Sequence, residues 1–278
     1  MARLEDGVVT SEDVLQGRHG PIPVRRYQPS APRATSLLWL HGGGFSSGGL
    51  DQLESHAVAA SLAQRGIPVV TVDYRLAPPW WGPAARAAEP AAGVRYPVPL
   101  DDVLDAYAAI RLESGALDIG GASAGACLAA AAVLRMRDEQ AGLPERVVLA
   151  YGTYHASLPD LPPHVRSRVA GVHGVIQFRR RTVAQMNTNY VGGEAGLAEP
   201  YAFPGGKDLS GFPSTLILDA DRDTLRASGD AFAAELTAAG SNVTYRVVRG
   251  STHGFLDRPR RAHFARGIDE IGRWLTGA

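Results

Sequence analysis

The chain has 278 residues, 45% hydrophobic and 20% charged, and its 28 Lys and Arg side chains balance 28 Asp and Glu. That length holds one large α/β domain or two small ones with ample core, and zero formal charge excludes a nucleic-acid partner held by bulk electrostatics. Cys127 is the only cysteine, which excludes an intrachain disulfide and a cysteine metal cluster. "MARLEDGVV" has no apolar signal core, and no apolar run in the sequence is long enough to cross a bilayer. No membrane partner is therefore expected, and the cytoplasm is the default location.

In chain order, "EDVLQGRHGPIPVRRYQP" (12–29) reads as two strands around a turn at His19–Gly20. Short apolar runs rich in β-branched residues follow at 36–40, 67–73, 117–121, 146–152, 214–220 and 243–249. Several end at Gly or Asp, as buried parallel strands do. Between them lie Ala- and Leu-rich segments of helical length at 54–65, 100–113, 124–137 and 227–239, and a last one, 260–275, closes the chain. Alternating strand and helix implies a parallel sheet covered on both faces. Residues 153–212 break the alternation; long, mixed and bounded by Pro and Gly, they read as an insertion on the sheet.

The chemistry concentrates where strands end. Gly121-Ala122-Ser123-Ala124-Gly125 follows one predicted strand and opens an Ala-rich helix. A serine on such a tight strand-to-helix turn, relieved by flanking glycines, is a nucleophile elbow, and the helix N-terminus behind it favours developing negative charge. The competing reading, a Gly/Ala packing turn, does not need the strand before and the helix after. "LHGGGF" (40–45) follows the first core strand; its glycines let backbone N–H groups approach a substrate oxygen, the design of an oxyanion hole. His41 immediately precedes those donors and reads as structural. "LDADRDTLRASG" (218–229) offers Asp219, Asp221 and Asp223, and "GSTHGF" (250–255) offers His253. These groups can meet at one edge of the sheet, with His253 taking the proton of Ser123 and an Asp fixing the imidazole tautomer. The remaining histidines have no matching context and read as surface or packing residues.

The sequence here resembles the bacterial hormone-sensitive-lipase-like (family IV) esterases of the α/β-hydrolase superfamily. The matching stretches are "GPIPVRRYQP", "HGGGF", "DYRLAP" (73–78), "YPVPLDDV", "GASAG", "LDADRDTLRASG" and "THGF", spread over most of the chain in family order. The resemblance implies the α/β-hydrolase fold, a mostly parallel central sheet with helices on both faces and a reduced cap. It implies one domain over 1–278, with 153–212 as the cap insertion and the 79–95 loop contributing. It places the catalytic acid on Asp223, with Asp221 as the family's non-catalytic acid, and the oxyanion donors on the N–H groups of Gly43, Gly44 and Ala124. The implied activity is a serine carboxylic-ester hydrolase acting through an acyl-enzyme on small to medium, short-acyl esters, without metal or cofactor. An acyltransferase or amidase would use the same triad, whereas a non-catalytic binding protein of this fold typically lacks a triad member and none is lacking here. From the family alone, a homodimer would form through the last strand, 243–249.

The chain departs from the family pattern in several places. Ala122 stands where many members carry Asp, and Cys127 where many carry Asn, where it reads as a small buried hydrophobe. Only a short arm precedes the first strand pair, so half of the usual cap is expected to be missing. Residues 79–95 are inserted after "DYRLAP" and carry Trp80 and Trp81. We read these two tryptophans as an apolar wall of the ester pocket, with anchoring of the loop or a subunit contact as the alternative. Arg179, Arg180 and Arg181 could select an acidic substrate but read better as a solvated helix face.

Overall fold

The computed structural model describes residues 3–5, 7–80, 93–170 and 178–277. Among them, nine strands form one sheet in the order β1-β2-β3-β5-β4-β6-β7-β8-β9. The strands are β1 (Arg3–Glu5), β2 (Val8–Gly17), β3 (Gly20–Pro29), β4 (Ser36–Leu40), β5 (Val69–Val72), β6 (Leu117–Ala122), β7 (Arg146–Ala150), β8 (Ser214–Arg222) and β9 (Val243–Thr252). The pairings of β1 with β2, β2 with β3 and β3 with β5 are antiparallel, and the other five are parallel.

Strand alternation divides the core between the two faces. Leu37 and Trp39 of β4 pack on one side, and Leu38 and Leu40 on the other. The first face is covered by α1 (Leu53–Ala63) and α7 (Ala262–Thr276), which supply Val58, Leu62, Ile268, Ile271 and Leu275. The second is covered by α2 (Val98–Ser114), α3 (Ala124–Asp138) and α6 (Arg226–Ala238). With both faces covered, the central strands are buried except at the first residues of β4 and β7, and read as mostly apolar runs. This is the α/β-hydrolase architecture expected from the motifs.

The structure differs from the sequence reading at the N-terminal edge and at two strand ends. The first hairpin begins at Val8 and turns through Arg18 and His19, with Gly17 paired to Gly20. The arm before it forms β1, an edge strand whose pairing a three-residue run does not announce. Strands β8 and β9 run on past the predicted ends to Arg222 and Thr252, with a register shift between Ala220 and Arg222. Between β7 and β8 lie α4 (Pro163–Val169), α5 (Arg180–Val191) and a 3-10 turn at Glu194–Ala198, with no strand among the described residues.

This topology brings four strand ends to one edge. His41 follows β4, Ser123 follows β6, Asp223 follows β8 and His253 follows β9. A tight crossing there lies between the start of α3 and the end of β4. A Cβ on Gly125 would sit 2.3 Å from the carbonyl oxygens of both Leu40 and His41, and one on Gly121 would sit 2.5 Å from the backbone of Gly125. Gly125→Ala is therefore expected to destabilise the chain by about 1–3 kcal/mol, the usual cost of overpacking. In a thermal melt that is a drop of several degrees, at about 2–4 °C per kcal/mol for a domain of this size. An unchanged melting temperature would show that the two segments can separate freely.

Candidate active site

Ser123 sits at φ 53°, ψ −118°, a left-handed conformation that non-glycine residues rarely adopt. Such a residue stores on the order of 1–3 kcal/mol and persists only where its surroundings fix it. Here the Ser123 N–H donates to the Ala150 carbonyl at 2.8 Å, and its own carbonyl accepts from Ala126 and Cys127 in the first turn of α3. Ala124 occupies the first helical position, where an N–H has no intrahelical acceptor. Cys127 is buried one turn on, its thiol pushed up by desolvation, as the small-hydrophobe reading expects.

The Ser123 hydroxyl lies 3.0 Å from His253 Nε2, and His253 Nδ1 lies 2.6 Å from Asp223 Oδ2. The second oxygen of Asp223 accepts the N–H of Leu225 at 3.0 Å. The three aspartates of "DADRD" thus have three different fates. Asp219 is buried against α6, where desolvation pushes its carboxyl well up and the Tyr245 hydroxyl donates to it at 3.0 Å. Asp221 takes a two-pronged contact from Arg168 of α4 and the N–H of Gly250, which hold it below the usual carboxylate range. Only Asp223 reaches His253. Burial opposes charging that imidazole, but the charge and hydrogen bond of Asp223 outweigh it, with Glu54 adding in the same direction, so His253 lies above its ordinary value. The rings of Phe178 and Tyr151 meet the imidazole edge-on, at 4.8 and 5.1 Å.

The triglycine loop is fixed from behind. The Gly42 N–H donates to Glu54 Oε2 at 2.7 Å, and the Gly42 carbonyl lies 2.7 Å from His41 Nδ1. The Gly43 carbonyl accepts from the N–H groups of Ser46 and Ser47 and from the Ser47 hydroxyl. In a trans peptide the N–H points opposite to the carbonyl. With both carbonyls turned into the loop, the N–H groups of Gly43 and Gly44 face away from it, and both residues line the cavity that contains Ser123. His41 is fully buried and stacked on Tyr74, and burial lowers it to about 4. It is neutral at ordinary pH and serves the loop, in agreement with its structural reading.

The cavity holds about 540 Å³. Its apolar lining includes Trp80, Phe178, Met186 and Leu225, and its polar lining includes Gln52, Glu54, Asp257 and Arg258. Trp80 is thus brought to the site, whereas Trp81 lies outside the described residues. Phe178 and Met186 come from the 153–212 segment and were not singled out in the sequence; neither was Glu54, because a lone acidic residue in a first helical turn carries no motif. Arg179, Arg180 and Arg181 are exposed and do not line the cavity, and Arg180 pairs with Asp160. Among the described residues, no group of three or more His, Cys, Asp or Glu is placed to hold a metal ion, and no helix is long and apolar enough to cross a membrane.

A family model of the α/β hydrolase fold (Abhydrolase_3) matches residues 37–257. The chain is 34% identical over 261 residues to carboxylic ester hydrolase LipN of Mycobacterium tuberculosis, covering 87% of this chain and 63% of that protein. It is 30% identical over 249 residues to ethyl acetate hydrolase of Pseudomonas putida, covering 84% of this chain and 71% of that one. The esterase structure from Pyrobaculum calidifontis superposes with a TM-score of 0.80 at 28% identity, over 96% of this chain and 84% of that one. The chain belongs to the α/β-hydrolase-fold family, and the relatives above are carboxylic ester hydrolases and esterases, in line with the resemblance of its motifs to the hormone-sensitive-lipase-like group.

The charge arrangement predicts the titration of His253. In histidine-labelled NMR its midpoint should lie above the ordinary value of about 6.5 and fall in Asp223→Asn, which removes the opposing charge and leaves the desolvation. A midpoint unchanged by that substitution would contradict the pairing.

Proposed function

We propose that the chain is a serine carboxylic-ester hydrolase working through an acyl-enzyme. The observation that carries the reading is the continuous chain from Ser123 to His253 to Asp223, at 3.0 and 2.6 Å, beside the triglycine loop in one cavity. His253 Nε2 takes the hydroxyl proton as Ser123 Oγ bonds to the ester carbonyl carbon. The developing oxyanion is received by the N–H groups of Gly43, Gly44 and Ala124. The ester C–O bond then breaks, and the alcohol leaves with the proton returned by His253. Water repeats the cycle and releases the acid. Asp223 holds the imidazole in the required tautomer and stabilises the imidazolium.

The acyl group is short in this reading. A Cβ on Gly44 would lie 3.0 Å from Met186 Sδ and 3.6 Å from Trp80 Nε1, so there is little room beside the oxyanion loop. The name of the Pseudomonas relative, ethyl acetate hydrolase, points the same way. We take 1–278 as one domain whose 153–212 segment is the cap, because Phe178, Thr182 and Met186 from that segment line the cavity. Trp80, at the start of the 79–95 stretch, lines the same cavity. Strand β9 stands at the end of the sheet order, which suits the homodimer contact expected there.

Ser123→Ala should lose turnover of p-nitrophenyl acetate by on the order of a million-fold while keeping its melting temperature. Asp223→Asn should lose roughly four orders of magnitude and Asp221→Asn far less; the reverse ranking would move the acid to Asp221. Trp80→Ala should shift a p-nitrophenyl ester series toward longer acyl chains with little change in melting temperature. A stability loss with an unchanged chain-length profile would make Trp80 an anchor of the loop.

A further inference from the structure

One buried acid near the site is used by neither the triad nor the oxyanion donors. Glu54, 3% exposed, lies in the first turn of α1. Its backbone is pinned at both ends: the N–H donates to Asp257 Oδ1 at 3.0 Å, and the carbonyl accepts from Trp39 Nε1 at 2.9 Å. Both carboxylate oxygens are engaged. Oε2 accepts the Gly42 N–H at 2.7 Å, and Oε1 accepts the Tyr151 hydroxyl at 2.6 Å. Tyr151 sits at φ 37°, a strained position for an aromatic residue, and its ring meets that of His253. One carboxylate therefore touches the back of the oxyanion loop and the residue packed against the base.

A carboxylate in so dry a place is costly unless something uses its charge. Burial pushes the Glu54 carboxyl up, while Tyr151, the charge on His253 and the Gly42 N–H pull it back. Leucine at this position would fill the space but leave Gly42 without an acceptor. The His41–Gly42 peptide would then be held only from its carbonyl side, by the Tyr74 hydroxyl at 2.6 Å, which loosens the start of the loop that carries Gly43 and Gly44.

We propose that Glu54 is a positioning residue of the ester-cleaving site, its carboxylate setting the Gly43 and Gly44 amides through Gly42 and favouring the His253 imidazolium through its charge and through Tyr151. The inference rests on the hydrolase reading above. It assigns Glu54 two separable effects, one through hydrogen-bond geometry and one through charge. Glutamine separates them, because its oxygen can still accept from Gly42 while its amide donates to the Tyr151 hydroxyl. Alanine removes both. The groups facing His253 are Asp223 from the turn after β8, Glu54 from α1, Tyr151 from the end of β7, Phe178 from the 153–212 segment and Arg258 beyond β9; Asp257 and Tyr74 face Glu54. Arg258 opposes protonation of His253, and Asp223 and Glu54 favour it.

The test is a pH profile of kcat and kcat/KM for p-nitrophenyl acetate in wild type, Glu54→Gln and Glu54→Ala. Rates are normalised to sites titrated with a fluorescent phosphonate, so misfolded protein does not count. Glu54→Gln should keep the wild-type KM and melting temperature while the acid limb of kcat/KM moves to lower pH, because a negative charge favouring the imidazolium is gone. Glu54→Ala should lose kcat per titrated site by roughly a hundredfold, the size of losing one oxyanion donor. An unmoved acid limb in Glu54→Gln, or a wild-type kcat per site in Glu54→Ala, overturns the inference. If Glu54→Ala does not fold, the Gln profile alone decides. A wild-type chain inert toward both ester and phosphonate would overturn the hydrolase reading and this inference with it.

Discussion

Backbone packs directly on backbone where the start of α3 crosses the end of β4, and the rest of the site depends on that crossing. With no side chain at Gly121 or Gly125, the helix presses onto the Leu40 and His41 carbonyls. The chain must then turn from strand to helix in one residue, and Ser123 takes the positive φ that results. The same contact sets the triglycine loop beside the serine, because that loop begins at His41. Ser123 and the triglycine loop, the proposed nucleophile and oxyanion donors, are thus placed by one contact between the start of α3 and the end of β4. A rigid scaffold of this kind loses little by reorganisation when charge develops.

Around that crossing, environment gives chemically similar groups different tasks. Among the carboxylates near the sheet edge, Asp219 is desolvated, Asp221 is paired with Arg168, Asp223 is paired with His253, and Glu54 is desolvated but accepts hydrogen bonds from Gly42, Tyr151 and Gln52. The two imidazoles divide in the same way. His41 is lowered by burial with no carboxylate beside it, whereas His253 is raised because Asp223 outweighs burial. A base that must accept a proton and hold it through a transition state needs the second environment; a ring that only braces a loop needs the first.

The fold and the chemical groups were legible in the sequence because they rest on local rules. Buried parallel strands are apolar from end to end, and the elbow and the triglycine loop need small residues at fixed spacing. The choice among Asp219, Asp221 and Asp223 was not local: spacing alone left all three open, and the resemblance was needed to point to Asp223. Their separation depends on the register shift near Ala220 and on an arginine more than fifty residues upstream, which pairs with Asp221. Phe178, Met186 and Glu54 were not legible either. Each reaches the cavity through tertiary packing, and none sits in a pattern that spacing reveals. Trp80 was reached because an unexplained insertion left the sheet at the right edge.

The central claim is that Ser123 and the amides of Gly43, Gly44 and Ala124 act on one carbonyl. A crystal structure of the chain after reaction with a p-nitrophenyl alkylphosphonate tests it most directly. The expected result is phosphorus bonded to Ser123 Oγ, with one phosphonyl oxygen at ~3 Å from all three nitrogens. An adduct on another side chain, or one on Ser123 whose oxygen points away from the triglycine loop, would contradict it.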